Sequence, residues 1–450
     1  MKPAPSTTAL INPLDVVPMR PRQIMVLVAA LLLAALDGYD ALSMAFVAPA
    51  LAREWHLTKD VVGVLLASSL AGMAIGAIAL SPAADHFGRK KVILAALSIL
   101  IFGTALSGLA TSVPFLAAAR VLTGAGIGVM VSMTTLISAE FTNIRRRSLA
   151  VAGVATLGFP LGGVAGGLGA AAILKGATWH WVFFTGSFCG LALFVLVVLA
   201  LPESPAFIIA RRMPDALAKA NRVLFGLGQP AMTELPLAPD RTQSRYGSLF
   251  KPDMRRIVFP LMATAILIAT SSYYILNWLP QMVVDAGFTP AQGSLVSALS
   301  GVVGLLGGIG FAAFASRFPP TRVAAIAMTG AAIALVAVGL VPPVIPLFVA
   351  SAGILGFCLA GTTGMLYSIM ADAFPPALRA SGIGLVMGAA RIASAGGPAL
   401  AGLMFAHGMT RAGVSVIFAV GPLIAAVLIG TLRLRSPHPG PALDVGQTGA

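Results

Sequence analysis

The chain has 450 residues, 58% of them hydrophobic and 10% charged, with a mean hydropathy of +0.94. Soluble domains run at roughly 45–50% apolar and about 25% charged, so a water-soluble globule is excluded. A formal charge of +14, from 29 Lys and Arg against 15 Asp and Glu, would suggest nucleic acid in a soluble chain, but here the basic residues must first be placed relative to a membrane.

Segments of about 20 nearly uncharged residues can each cross a hydrocarbon core roughly 30 Å thick as a helix. Cutting the chain at charged and Pro/Gly-rich breaks predicts twelve of them: 24–50, 61–83, 92–111, 115–138, 149–174, 181–201, 257–280, 293–315, 323–341, 344–370, 381–405 and 412–432. The first carries Asp37 and Asp40 and has no small-residue cleavage site after it, so it is expected to stay as an anchor. The fold class expected is all-α and polytopic, with twelve transmembrane helices in two six-helix pseudo-repeats. Its parts are an N-terminal tail (1–23), a first bundle (24–201), a polar linker (202–256), a second bundle (257–432) and a C-terminal tail (433–450) read as a flexible end.

With the N-terminus placed in the cytoplasm, the loops on the outer side hold only Arg53, Lys59, Lys175 and Arg411 among the basic residues, and Arg120 and Arg391 fall inside spans. The remaining basic residues lie on one side, which predicts an inner-membrane protein with both termini cytoplasmic. The high positive charge is then a topology signal, and nucleic acid is not an expected partner. Cys189 and Cys358 lie in apolar runs and read as packing residues. His180 and His407 fall at predicted helix ends without metal-ligand companions; no metal, cofactor or catalytic triad is expected.

The halves resemble each other. Glu140 and Arg147 in EFTNIRRR match Asp372 and Arg379 in DAFPPALR at one numbering offset, which also carries Gly124 onto Gly356. DHFGRKKV after the second span matches SRFPPTRV after the eighth, and Pro49 matches Pro280. Two six-helix repeats in one orientation form the layout of a rocker-type secondary transporter, with its substrate site between the halves.

With these features the chain resembles a major facilitator superfamily transporter along nearly its whole length. LDGYDALSMAFVAPAL, RVLTGAGIG, FPLGG, LPESP, NWLP and the lone Arg391 are similar to the aromatic acid:proton symporters, which import benzoate-like, hydroxybenzoate-like or muconate-like acids. The Asp-Gly-aromatic-Asp motif is the most specific of these. LPESP is shared with sugar porters, and GRKK with most of the superfamily. Ser81 and His86 depart from the usual loop motif, and Trp179-His180 stands where Trp-Arg is common.

Only Asp37, Asp40, Arg120 and Arg391 are ionisable and deep in spans, where each charge costs on the order of 2.5–3.5 kcal/mol. Asp37 and Asp40 are i,i+3 on one helix face, and two like charges there are not both cheaply ionised. The resemblance assigns proton and substrate coupling to this motif, with Asp40 the expected proton carrier, Asp37 its coupled neighbour and Arg120 a further member. Arg391 is the first choice for a substrate carboxylate, because a guanidinium fork matches a carboxylate in bidentate fashion. A structural bond from Arg391 to a carbonyl or a span-1 aspartate is the alternative, and Arg120 is free at this stage to pair with either aspartate.

A benzoate-sized ligand needs apolar walls with a few polar groups, for which Tyr39, Phe159, Tyr273, Tyr274 and Asn277 are candidates. Trp278 reads instead as an interfacial residue. The resemblance implies that Asp85, Arg89 and Lys90 form a charge lock against the other half on the cytoplasmic side, reinforced by Glu140/Arg147 and Asp372/Arg379. A proton-coupled importer of an aromatic or related acid is therefore expected, working as a monomer in the bilayer with a small carboxylate and protons as partners. The alternatives are a facilitator for a sugar, dicarboxylate or drug, and more remotely a non-transporting receptor or intramembrane enzyme.

Overall fold

The computed structural model describes residues 13–211, 215–235, 246–315, 317–375 and 378–432. Among the described residues twelve helices are long and apolar enough to cross a membrane, and there is no strand. In chain order the first half comprises α1 (Pro21–Glu54), α2 (Lys59–Ala79), α3 (Arg89–Gly108), α4 (Val113–Glu140), α5 (Ile144–Ile173) and α6 (His180–Ala200). The second comprises α7 (Pro252–Asp285), α8 (Pro290–Ala315), α9 (Pro320–Leu340), α10 (Ile345–Ala373), α11 and α12 (Arg411–Thr431). Helix α11 comes in two pieces, Arg379–Ser394 and Gly396–Ala406. Pro398 has no N–H to give to the carbonyl of Ser394 four residues back, so the helix breaks there and restarts.

Helices overrun the apolar segments because their ends are polar or proline-started. The Asn143 side chain accepts from Arg146 N at 3.1 Å to cap α5, and α1, α4, α7, α9 and α10 each carry proline in their first positions. The linker is not wholly irregular. It forms short helices at Pro205–Arg211 and Ala216–Gly226, the second of which buries Ala216, Ala220 and Leu224 beside Leu14 and Leu227. That i,i+4 spacing is the amphipathic signal that the linker's basic, broken composition concealed. The C-terminal tail read as flexible lies outside the described residues.

Lipid tails give helices no hydrophobic reason to associate, so close packing of small residues has to hold each half together. Between α2 and α4 a Cβ built on Gly72 would lie 2.1 Å from the Val121 carbonyl, and one on Gly124 would lie 2.0 Å from that of Ser69. In the second half Gly304 on α8 faces Gly356 on α10, each hypothetical Cβ 3.2 Å from the other's Cα. Gly72/Gly304 and Gly124/Gly356 are related by one numbering offset, so the repeat extends to the packing seams. A second offset relates Tyr39 to Tyr274. The Tyr39 hydroxyl donates to Val182 O of α6 at 2.6 Å. Tyr274 hydrogen-bonds Ser415 of α12 at 2.9 Å and stacks on Phe418 at 4.1 Å. Each tyrosine pins the first helix of its half to the sixth.

We call the face where α1 begins and α12 ends the terminal face, and the other the distal face. The halves meet toward the distal face. There Gly167 of α5 sits against Ser294 and Ala298 of α8, and Gly63 of α2 against Gly402 and Pro398 of α11.

Candidate functional site

Two groups of membrane-buried charge occupy the middle of the molecule. The first lies within the N-terminal half. Arg120 on α4 pairs with Asp40 on α1, Nη2 to Oδ2 at 3.3 Å, with both side chains fully buried. Its Nη2 also donates to the Asp40 carbonyl at 2.7 Å and to Ser69 Oγ at 3.4 Å. The Thr104 hydroxyl of α3 donates to Asp40 Oδ1 at 2.8 Å, and the Phe183 ring lies 5.3 Å from the guanidinium carbon. Asp40 thus holds an ion pair and a neutral donor, the satisfaction that a buried charge pair needs. Of the two aspartates left open to Arg120 by the sequence, the structure selects Asp40. Thr104 and Ser69 were not legible as site residues, since hydroxyls in spans commonly bond to their own helix.

The second group lies between the halves. Asp37 is 1% exposed, and neither carboxylate oxygen has a hydrogen-bond partner. Arg391 of α11 lies within electrostatic reach of Asp37, Tyr273 of α7 and Tyr367 of α10, and its Nη1 is buried without an acceptor. A carboxylate with neither oxygen bonded and a guanidinium with one buried nitrogen left open, contributed by opposite halves, are an arrangement that a folded protein retains only for a use. Gly38 stands between the aspartates because a Cβ there would lie 2.0 Å from the Phe159 carbonyl of α5. The motif's glycine therefore sets how closely α1 and α5 approach.

The other candidates separate by position. Phe159 and Tyr273 are half-buried and pack against the first-half core. Asn277, one turn beyond Tyr273, is fully buried. Its amide donates to the Tyr273 carbonyl at 2.9 Å, while its Oδ1 has no donor. The hydroxyls of Tyr39 and Tyr274 are engaged inside their own halves. Tyr367 is not legible in the sequence, because a tyrosine in a long apolar helix carries no pattern of its own.

On the terminal face Arg89 pairs with Asp85 at 3.2 Å and Glu140 at 3.3 Å, and Lys90 Nζ donates to Val198 O at 2.9 Å. Arg147 pairs with Asp15. Every one of these contacts lies inside the first half, whereas Asp372 and Arg379 are exposed and form no ion pair among the described residues. Among the described residues no ion pair on this face bridges the halves, whereas contacts between the halves are made on the distal face. Glu203 of LPESP caps α3, accepting from Arg89 N at 2.8 Å and Lys90 N at 3.3 Å. It fits because the preceding Gly88 has φ 98° and no side chain; a Cβ there would lie 2.4 Å from Glu203 Oε2.

A sequence profile for the Major Facilitator Superfamily matches residues 28–345 and, overlapping them, 261–448. A gallate transporter of Pseudomonas putida is 29% identical over 424 residues, covering 93% of this chain and 94% of its own. The 4-hydroxybenzoate transporter PcaK of the same species is 31% identical over 375 residues, covering 81% and 82%. Among solved structures, the inward-open xylose transporter XylE of E. coli superposes with a TM-score of 0.71 at 16% identity, covering 91% of this chain and 96% of that one. That likeness speaks for the fold alone.

Proposed function

Because the chain belongs to the Major Facilitator Superfamily, in its aromatic acid transporter branch, we propose that it imports an aromatic carboxylate with protons across the bacterial inner membrane, by alternating access between its halves. One observation carries the reading. Asp37 and Arg391, on opposite halves and within electrostatic reach of each other, both keep buried polar atoms without hydrogen-bond partners.

In the empty carrier Arg391 and Asp37 neutralise each other across the gap. A substrate carboxylate placed on the guanidinium fork gives Arg391 its missing acceptors and leaves Asp37 without a cation. A proton then restores the charge balance, so that substrate and proton enter the site together. Asp40 keeps its pairing with Arg120 through this exchange. This favours Asp37 as the group that takes the proton, with Asp40 and Arg120 holding the end of the motif in place. Phe159, Tyr273 and Tyr367 supply ring-sized walls, and the open Oδ1 of Asn277 offers an acceptor for a ring hydroxyl.

The excess of basic residues on the terminal side supports placing that face in the cytoplasm, and the distal contacts between the halves then close the present conformation toward the outside. One proton per carboxylate moves no net charge and is driven by the proton concentration gradient, and each proton beyond that gains about 2.3 kcal/mol per 100 mV. The test is uptake of labelled benzoate, 4-hydroxybenzoate and gallate, with muconate and glucose alongside, in cells with and without a protonophore. Saturable, protonophore-sensitive accumulation of an aromatic acid, lost in Asp37→Asn, is expected. Accumulation indifferent to the protonophore would remove the proton from the mechanism, and accumulation of glucose alone would remove the acid.

A further inference from the structure

The distal seam carries a charged contact that the central site does not use. Lys59 opens α2 in the first half and Asp285 closes α7 in the second. The Lys59 ammonium lies 2.7 Å from Asp285 Oδ1 and 2.5 Å from Oδ2. Gln281, one turn back on α7 and 5% exposed, donates its amide to Asp285 Oδ1 at 2.8 Å and so fixes the carboxylate toward α2. Arg53 adds a second contact across the seam, donating to Phe288 O at 3.5 Å. The backbone beside the pair is equally close, since a Cβ on Gly402 would lie 2.8 Å from the Lys59 carbonyl.

Lys59 and Asp285 meet only while the distal ends of the halves are together, so the bond contributes to one of the two states and not to the other. Differential contacts of this kind are what bias a two-state equilibrium. On α7, moreover, Tyr273, Asn277, Gln281 and Asp285 follow one another at i,i+4 spacing along one face. The helix that presents Tyr273 and Asn277 to the centre therefore also carries the seam contact. We propose that Lys59 and Asp285, positioned by Gln281, are the latch that holds the distal face shut and sets the balance between the two open states. This rests on alternating access but not on the identity of the cargo. Lys59 and Asp285 are 33% and 47% exposed, so the contribution is modest, a shift in populations of about 2- to 5-fold.

The test reads the seam directly and needs no substrate. Ser294→Cys, buried against Gly167 in the distal seam, is placed in a background lacking both native cysteines (Cys189→Ser, Cys358→Ala). It is then labelled with a membrane-impermeant maleimide from the distal side. Lys59→Met and Asp285→Asn should each raise the labelling rate about 2- to 5-fold. The exchange Lys59→Asp with Asp285→Lys should bring it back toward the starting rate, because the open Oε1 of Gln281 can accept from an ammonium at position 285. Unchanged labelling in the single variants, or an exchange variant as fast as they are, would overturn the latch. Should a single variant fail to fold, the pair Lys59→Cys with Asp285→Cys decides. Oxidative crosslinking is expected to stop distal labelling and reduction to restore it, and a crosslinked protein still labelled at the parent rate would equally refute the proposal. Failure here with proton-driven uptake intact rejects the latch alone, whereas absent uptake with normal latch behaviour rejects the cargo reading alone.

Discussion

At the scale of single residues, the two intramembrane arginines are held differently and should respond differently to substitution. Arg120 is committed to Asp40, so Arg120→Met strands a buried carboxylate and is expected to cost about 3–5 kcal/mol. The double change Arg120→Met with Asp40→Leu removes both charges and should recover most of the melting temperature in detergent without recovering transport. If the double variant were no more stable than the single one, the pair would not be the structural unit described here. Arg391 has no such commitment. Arg391→Lys keeps the charge but loses the planar fork, and the affinity for an aromatic acid should fall about 10- to 100-fold. Stability should change little, which ligand-binding and thermal-shift measurements on one preparation can separate. The four intramembrane charges were legible from the sequence because a charge is conspicuous in an apolar helix. Which of them pair was not, since that depends on the rotation of α4 against α1.

Helix by helix, contact is decided by what is missing from the side chains. Gly124 lies against Ser69 in the α2–α4 seam, and Gly124→Leu must push the helices apart, at a cost of about 1–3 kcal/mol. Gly388 on α11 has nothing within 4 Å of a built Cβ, so Gly388→Ala should leave the melting temperature unchanged. Equal effects of the two substitutions would show that the glycine seam is not what holds α2 to α4. Tyr39 and Tyr274 show where sequence reasoning stops at this scale. Their place beside a functional motif suggested ligand contact, yet each hydroxyl is used within its own half. The repeat did not expose this, because the two tyrosines are related by an offset of their own and not by the one that matches the glycine seams. Lys59 and Asp285 escaped notice for another reason. They sit at polar helix ends, where charge is ordinary, and only the folded seam brings them together.

Across the whole molecule, the span count, the repeat and the central charges followed from hydropathy and residue spacing, which are local properties. How far the halves are parted on each face is a property of the assembled pair, and the sequence determines it only through many weak contacts. The charges in the membrane have one further consequence, for biosynthesis. The first half holds two intramembrane carboxylates and one guanidinium, the second a single half-buried guanidinium, so the intramembrane charges cancel only when the halves are joined. A half inserted into the bilayer by itself would carry an uncompensated ion, at a cost of roughly 2.5–3.5 kcal/mol. If the chain is divided in the linker between Gly228 and Gln229, each piece made alone should be degraded in the membrane. Made together, the pieces should protect one another, and immunoblots of the paired and single expressions would show it. Nascent first halves would on this account wait for their counterion during synthesis, and the order in which spans leave the translocon becomes part of how the site is built.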